Sequence, residues 1–345
     1  MLTSTVRSLS SFGIAIVSRN ALRAAVQFGL VALLAAGASH GAPVYLAGSL
    51  SGPAESPANA SPGTGTTLVT YDSATQLLTV SFSFSGLQGT TTAAHIHCCT
   101  AVANTANAGV ATQTPTFSGT PLGVTSGTYQ NTFDLTQAAS WNPAFITANG
   151  GTPASAEAAF AAGLLANKTY LNLHTTSFPG GEIRAFLTPQ TAPTIAVAFS
   201  PASIAAGSGT SLVFTLTNPA ANPIALTGVA FTDTLTGGIG VATGSTAACG
   251  GTLTTTTTTI SLAGATIAQN GQCQFSVALI NAPVGTFVNT TGAIAAGNAP
   301  AGNSASATLV VGNAPLIPTL SPWILALLAA TLLVTTFVYM RRRRQ

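Results

Sequence analysis

From Leu78 to Ser85 the chain reads LTVSFSFS: apolar Leu78, Val80, Phe82 and Phe84 alternate strictly with Thr79, Ser81, Ser83 and Ser85. A period of two predicts a strand with one face on a core and the other in solvent. TLVTY lies just upstream, joined through DSATQ, and predicts the other arm of a hairpin. A helix is expected from Thr152, which can cap it. Pro153 suits its first turn, and ASAEAAFAAGLL places Phe160 and Leu164 on one face. KTYLNLHTTSFPGGEIRAFL predicts two strands around a Phe-Pro-Gly-Gly turn. TPQTAP (188–193) has two prolines and no charge and marks a boundary. Beyond it, strands flank Gly-, Asn- and Pro-rich turns at the regular spacing of an Ig-like sandwich. The expected fold class is all-β, with two β-sandwich-like domains in tandem.

The two ends read differently. Arg7, Arg19 and Arg23 precede the apolar run Ala24 to Ala38, and small residues follow up to Ala42, so residues 1–42 read as an export signal peptide. At the other end, the 18 residues from Trp323 to Met340 are uncharged and are followed by Arg341, Arg342, Arg343 and Arg344. That length is just enough to span a bilayer, with Trp323 and Tyr339 near its interfaces and the arginines expected in the cytoplasm. The motif Ile317-Pro318-Thr319-Leu320 with Trp323, the span and the basic cluster together resemble the IPTL-type C-terminal sorting domain of Gram-negative bacteria. The resemblance implies surface sorting by an exosortase-type membrane transpeptidase. The expected plan is a signal (1–42), a first β-domain (43–188), a linker (189–193) and an Ig-like domain (194–312). A linker carrying the sorting motif (313–322), a transmembrane helix (323–340) and a basic tail (341–345) complete it.

Charge sharpens this partition. The formal net charge of +3 comes from the two ends. Between residues 43 and 340 the cations are Lys168 and Arg184, set against six acids, a balance of −4. Such a segment has no basic patch to release counterions from phosphate, which argues against nucleic acid as a partner. An extracellular polysaccharide or matrix component fits its Thr-, Ser- and Asn-rich surface better.

YLAGSLSGPAESP, GLQGTTTAAHIHC and YLNLHTTSFPGGEIRAFL, in that order and spacing, resemble the CHRD domain named for chordin. Ala185 stands where that family usually has glycine, and Ser56 where a second proline is common. The resemblance implies an all-β extracellular module. In the second domain, TNP…LTGVAFTDTL ahead of a Cys-Gly-Gly resembles the DUF11-like surface repeats. Its sole charged residue is Asp233, and it reads as a spacer or adhesive module.

The candidate chemistry lies in TAAHIHCC. If residues 93–99 are extended, His95, His97 and Cys99 share one face, and Ala94, Ile96 and Cys98 share the other. Ala94 and Ile96 suit a core, which puts the imidazoles on the opposite side. His-x-His on a strand presents two imidazoles to one metal, and His174 is placed to complete a three-histidine site for copper or zinc. Glu182 and Arg184, across the turn, are candidates to support it. A bimetallic dismutase centre needs more imidazoles than these three. Cys98 and Cys99 have three readings: a vicinal disulfide at a turn, bridges to the second domain, or ligation by Cys99. Pairing Cys98 with Cys99 and Cys249 with Cys273 lets each domain close its own cysteines. No Gly-x-Ser-x-Gly elbow, phosphate loop or His-Glu-x-x-His motif is present, so the sequence points away from an enzyme. The leading reading is a structural or adhesive surface protein, with a metal-binding first domain as the alternative.

Overall fold

The computed structural model describes residues 41–313, 327–333 and 336. The export signal falls almost wholly outside them, as do Ile317, Pro318, Thr319, Leu320, Trp323 and Arg341 to Arg344. Residues 327–333 and 336 of the apolar tail are helical. Among the described residues, no helix is long and apolar enough to cross a membrane.

In the first domain, β1 (Val44–Ser51), β2 (Thr64–Asp72), β3 (Leu77–Ser85), β4 (Thr91–Cys98), β5 (Gly127–Asp134), β6 (Thr169–Thr175) and β7 (Ile183–Phe186) form one sheet. Their order is β4-β6-β7-β1-β2-β3-β5, and β8 (Thr188–Pro189) pairs with β1. β2 and β3 make the expected hairpin, in register from Thr64↔Ser85 to Asp72↔Leu77. Leu78, Val80, Phe82 and Phe84 all face the core, as their alternation requires. Two helices lie between β5 and β6. Short α1 (Pro143–Ala148) is capped by Asn142. α2 (Pro153–Leu165) is capped by Thr152, with Ser155 completing a capping box, and buries Phe160 and Leu164. Trp141 packs edge-on against Phe160, and its indole nitrogen donates to the Leu135 carbonyl at 2.9 Å. That bond gives a buried polar atom its partner.

β4 has β6 on one side only, and an open strand edge needs partners for its backbone. The long connection to β5 supplies them. Ala94 and Ile96 donate to the Thr116 and Thr112 hydroxyls. Cys98 donates to the Gly109 carbonyl, and Ala111 and Phe117 return bonds to Ile96 and Ala94. The connection therefore lies along β4 and covers its outer face.

The strand ends at Cys98 and Cys99, which are joined by a disulfide across a cis peptide bond. Both sulfurs sit on Gly163 of α2, where a Cβ would fall 2.6 Å from Cys98 Sγ and closer still to Cys99 Sγ. A mid-helix glycine costs roughly 1 kcal/mol relative to alanine, and here the close approach explains it.

The second domain holds β9 (Thr194–Ser200), β10 (Ser203–Ala205), β11 (Ser211–Thr217), β12 (Leu226–Thr234), β13 (Gly240–Val241) and β14 (Gly244–Ala248). It continues with β15 (Gly251–Thr255), β16 (Thr259–Ile267), β17 (Gln272–Ile280), β18 (Gly285–Thr290) and β19 (Ser306–Gly312). Sheets β13-β17-β11-β9 and β12-β16-β15-β14 carry most of it, with β10-β19-β18 beside them. Phe214, Phe231 and Phe275 stack between them, with Phe214 5.1 Å from each of the other two. The Cys249–Cys273 disulfide spans Cα atoms 5.8 Å apart and closes a separation of 24 residues, a loop for which chain entropy gives about 3 kcal/mol. Asp233 is fully buried and accepts a bond from Asn289 at 2.7 Å. The TPQTAP stretch is divided: Thr188 and Pro189 pair with β1, while Asn222 of the second domain holds Thr191 through two hydrogen bonds.

The glycine contact gives the first test. Gly163→Ala should lower stability by about 1–3 kcal/mol, the usual cost of overpacking, although alanine is the better helix former. A urea midpoint equal to or above that of the parent would show that α2 does not rest on the cysteine pair.

Candidate metal centre

The face of β4 turned away from the core carries Ala93, His95 and His97. Opposite them on β6 stand His174, Asn172 and Tyr170, in the register Ala93↔His174, His95↔Asn172 and His97↔Tyr170. Leu171 and Leu173 alternate with those β6 residues and enter the core, so period two divides both strands into an apolar and a polar side. Small Ala93 leaves room for His174 to lean toward the other two imidazoles. The ring centroids are 5.3 Å apart for His95–His174, 5.7 Å for His97–His174 and 6.0 Å for His95–His97.

Each imidazole is tied by one nitrogen to a backbone carbonyl. His95 Nε2 donates to Pro115 at 2.5 Å, His97 Nδ1 to Ala108 at 3.0 Å and His174 Nδ1 to Pro179 at 2.9 Å. A carbonyl can only accept, so these nitrogens carry the protons and the opposite ones carry lone pairs. Those opposite nitrogens, His95 Nδ1, His97 Nε2 and His174 Nε2, are buried and have no hydrogen-bond partner. The ligand atoms of the three histidines lie within 4.8 Å of one another. Ligands about 2.0 Å from one ion require the nitrogens to draw in by roughly 1 Å. His174, the least buried of the three, has the most freedom to do so.

The cover over the site explains the electrostatics. Sequence reasoning places the imidazoles on the side opposite Ala94 and Ile96 and leaves their degree of burial open. In the structure His95 and His97 are buried, because the β4–β5 connection lies over them. Burial holds His97 down to about 4, against the opposing pull of its bond to Ala108. Burial likewise lowers His95 and His174. All three are therefore neutral near pH 7, the form that binds a metal. His97 also stacks on Tyr170 at 4.7 Å and 7°, and the Tyr170 hydroxyl holds Ala108 by both its nitrogen and its carbonyl.

Cys99 is not brought to this cluster. Its sulfur is bonded to Cys98 and rests on α2, away from the histidines. Glu182 does not reach the imidazoles either. It is fully buried and accepts from Ser61 Oγ (2.6 Å), Thr175 Oγ1 (2.7 Å), Gln88 N (2.5 Å) and Gly89 N (3.0 Å). Burial pushes its carboxyl upward, but these bonds outweigh burial and hold it below its ordinary value. Glu182 thus fastens two loops and the end of β6 beside the turn that carries Pro179. Arg184 lies over the Tyr170 ring at 4.8 Å and 3.8 Å from Glu55. Burial drives Glu55 up to about 7 in spite of that arginine. What sequence reasoning missed is the set of backbone carbonyls, at Ala108, Pro115 and Pro179, that orient the rings. The alternation in YLNLH does mark Tyr170 and Asn172 as neighbours of His174.

The comparisons with known proteins bear on the domains. Residues 46–187 match the family model of the CHRD domain, the family that the motifs of the first domain resemble. Residues 193–311 match DUF7933, a domain of unknown function, where the sequence reading had a DUF11-like module. The IPTL-type tail lies beyond both matches. No curated protein matches the sequence. Among solved structures, the crystal structures of BcpA, the major pilin subunit of Bacillus cereus, and of a variant of it each align at 11% identity with a TM-score of 0.27. Each alignment covers 42% of this chain and 55% of the pilin chain. It thus spans about half of the pilin, and a likeness that slight bears on neither topology nor activity.

The depressed imidazoles generate a pH prediction. Above pH 6.5 a histidine is neutral in both folded and unfolded chains. As pH falls toward 4 the unfolded chain takes up a proton that folded His97 refuses, so stability drops by up to about 1.4 kcal/mol per pH unit. Glu55 acts in the opposite direction, its contribution being lost as pH rises through about 7. The parent must therefore be compared with His97→Gln. Metal-free parent should lose more stability than the variant between pH 6.5 and 4.5 in urea titrations. Parallel curves would mean that His97 is not held neutral.

Proposed function

We propose that the protein is an exported structural or adhesive protein of the cell surface whose first domain binds a single metal ion, copper or zinc, through His95, His97 and His174. The observation that carries the metal reading is the convergence of three buried, partnerless nitrogens. Leaving a buried acceptor unsatisfied costs about 1–3 kcal/mol, and native structures leave few such groups. A bridging water has only two protons for three lone pairs, so one ring would stay unpaired. One cation satisfies all three. The orienting carbonyls add to this, since metal-binding histidines commonly donate their other nitrogen to such groups.

The extracellular part of the reading rests on the CHRD domain and on the almost uncharged β-rich surface of both domains. The N-terminal signal and the tail motif support export and processing by an exosortase-type membrane transpeptidase. A polysaccharide or matrix component is the proposed contact of the two β-domains.

Metal content decides the first claim. The full chain, exported and purified without a histidine tag, should carry near-stoichiometric copper or zinc by plasma mass spectrometry. The His95→Ala/His97→Ala/His174→Ala variant should carry none. Adding metal should raise the melting temperature of the parent alone, since a ligand of the folded state stabilises it. Absence of metal from both after reloading would make the histidines structural.

A further inference from the structure

The chemistry around the three nitrogens discriminates between metals. Among the described residues the cluster is three histidines, with no cysteine or carboxylate joining it. The nearby thiols are spent on each other, the Glu182 oxygens are filled by four donors, and Glu55 sits against Arg184. Arg184 lies over the Tyr170 ring on which His97 stacks, so the charged group on that side of the site is a cation. The shared point is also closed, since all three nitrogens are cut off from solvent.

A divalent ion fits such a place poorly. Zinc held by three histidines takes a water or substrate as its fourth ligand, and here that water would have to share a point closed to solvent. Transfer of an ion from water scales with the square of its charge. Two positive charges buried without an anion therefore cost about four times as much as one. A monovalent ion that accepts three neutral nitrogens avoids both difficulties. Imidazole suits copper, and the cuprous ion, with its single charge, is stable with three ligands.

We infer that the site is built for cuprous copper in three-coordinate, all-nitrogen geometry, an inference that rests on the three-histidine reading above. Only binding is involved, so no oxidant or reductant enters.

The test compares Cu(I), Ag(I) and Zn(II) on the full chain. Cu(I) is delivered anaerobically against a competing chelator, and Zn(II) against a chromophoric one. Expected are one Cu(I) per chain, displacement by Ag(I), weaker Zn(II) binding, and an X-ray absorption edge for cuprous copper with three nitrogen neighbours. His174→Gln, at the more exposed side, should keep the parent's circular dichroism. It should lose at least the roughly 10- to 100-fold in Cu(I) affinity that removal of a mere outer partner costs. Unchanged Cu(I) affinity in that variant would overturn the three-coordinate assignment. Histidine-dependent Zn(II) binding as tight as Cu(I) would overturn the cuprous assignment and leave the site standing. No histidine-dependent uptake of any of the three ions would remove the site itself.

Discussion

The free edge of β4 is the constraint from which the rest of the first domain follows. A strand with one neighbour exposes a row of backbone donors and acceptors, and evolution must pair or cover them. Here the connection to β5 does both. Thr112 and Thr116 take the Ile96 and Ala94 amides by side chain, and Gly109 takes the Cys98 amide by its carbonyl. The segment that performs this pairing also carries the Ala108 and Pro115 carbonyls, which reach two of the imidazoles. Closing the edge and orienting the rings are one structural event.

The third ring is fixed from the opposite side. His174 depends on the Pro179 carbonyl, and the turn bearing it is held by Glu182 through Thr175 and the 61 and 88–89 loops. Gly181 in this turn has φ +130° and lies where a Cβ would meet the Asn172 amide and Glu55. Only glycine fits there on both counts. Three of the eight charged residues between 43 and 340 lie beside the site: Glu55 and Arg184 face each other, and Glu182 fastens the loops. A chain so poor in charge buries three of its six acids, Glu55, Glu157 and Glu182, inside the first domain. Asp233 of the second domain follows the same habit.

Much of the fold was legible. Strict alternation located β3, and Thr152 with Pro153 located the start of α2, because period and capping are local properties. The histidine trio was legible for the same reason: His-x-His and YLNLH each put polar side chains on one face of a strand. What local pattern cannot carry is the path of a long, irregular connection. Residues 99–126 gave no periodic signal, so neither the burial of His95 and His97 nor the carbonyls that orient them followed from sequence. The misplacement of Cys99 has a related cause. Alternation was extended one residue past the point where the Cys98–Cys99 pair turns the chain onto Gly163. Glu182 misled through proximity, since a residue close in sequence to His174 can still point to the other side of the turn.

On the proposed metal reading these features bind folding and ligation together. Without an ion the folded domain holds three acceptors that neither protein nor a single water can satisfy together, at a cost of about 1–3 kcal/mol for each one left unpaired. The unfolded chain has no such burden, because its imidazoles face water. The rings stay where they are because the β4 edge, the Tyr170 stack and the Glu182 fastening determine their positions independently. A site whose donors are preset by the fold in this way asks little rearrangement of the protein when an ion arrives. It also returns the ion's full binding free energy as folding stability, as linkage requires for a ligand that the unfolded chain binds weakly. On the proposed reading, a closed place that offers no anion makes the size of the ion's charge, more than its affinity for nitrogen, the property on which selection turns.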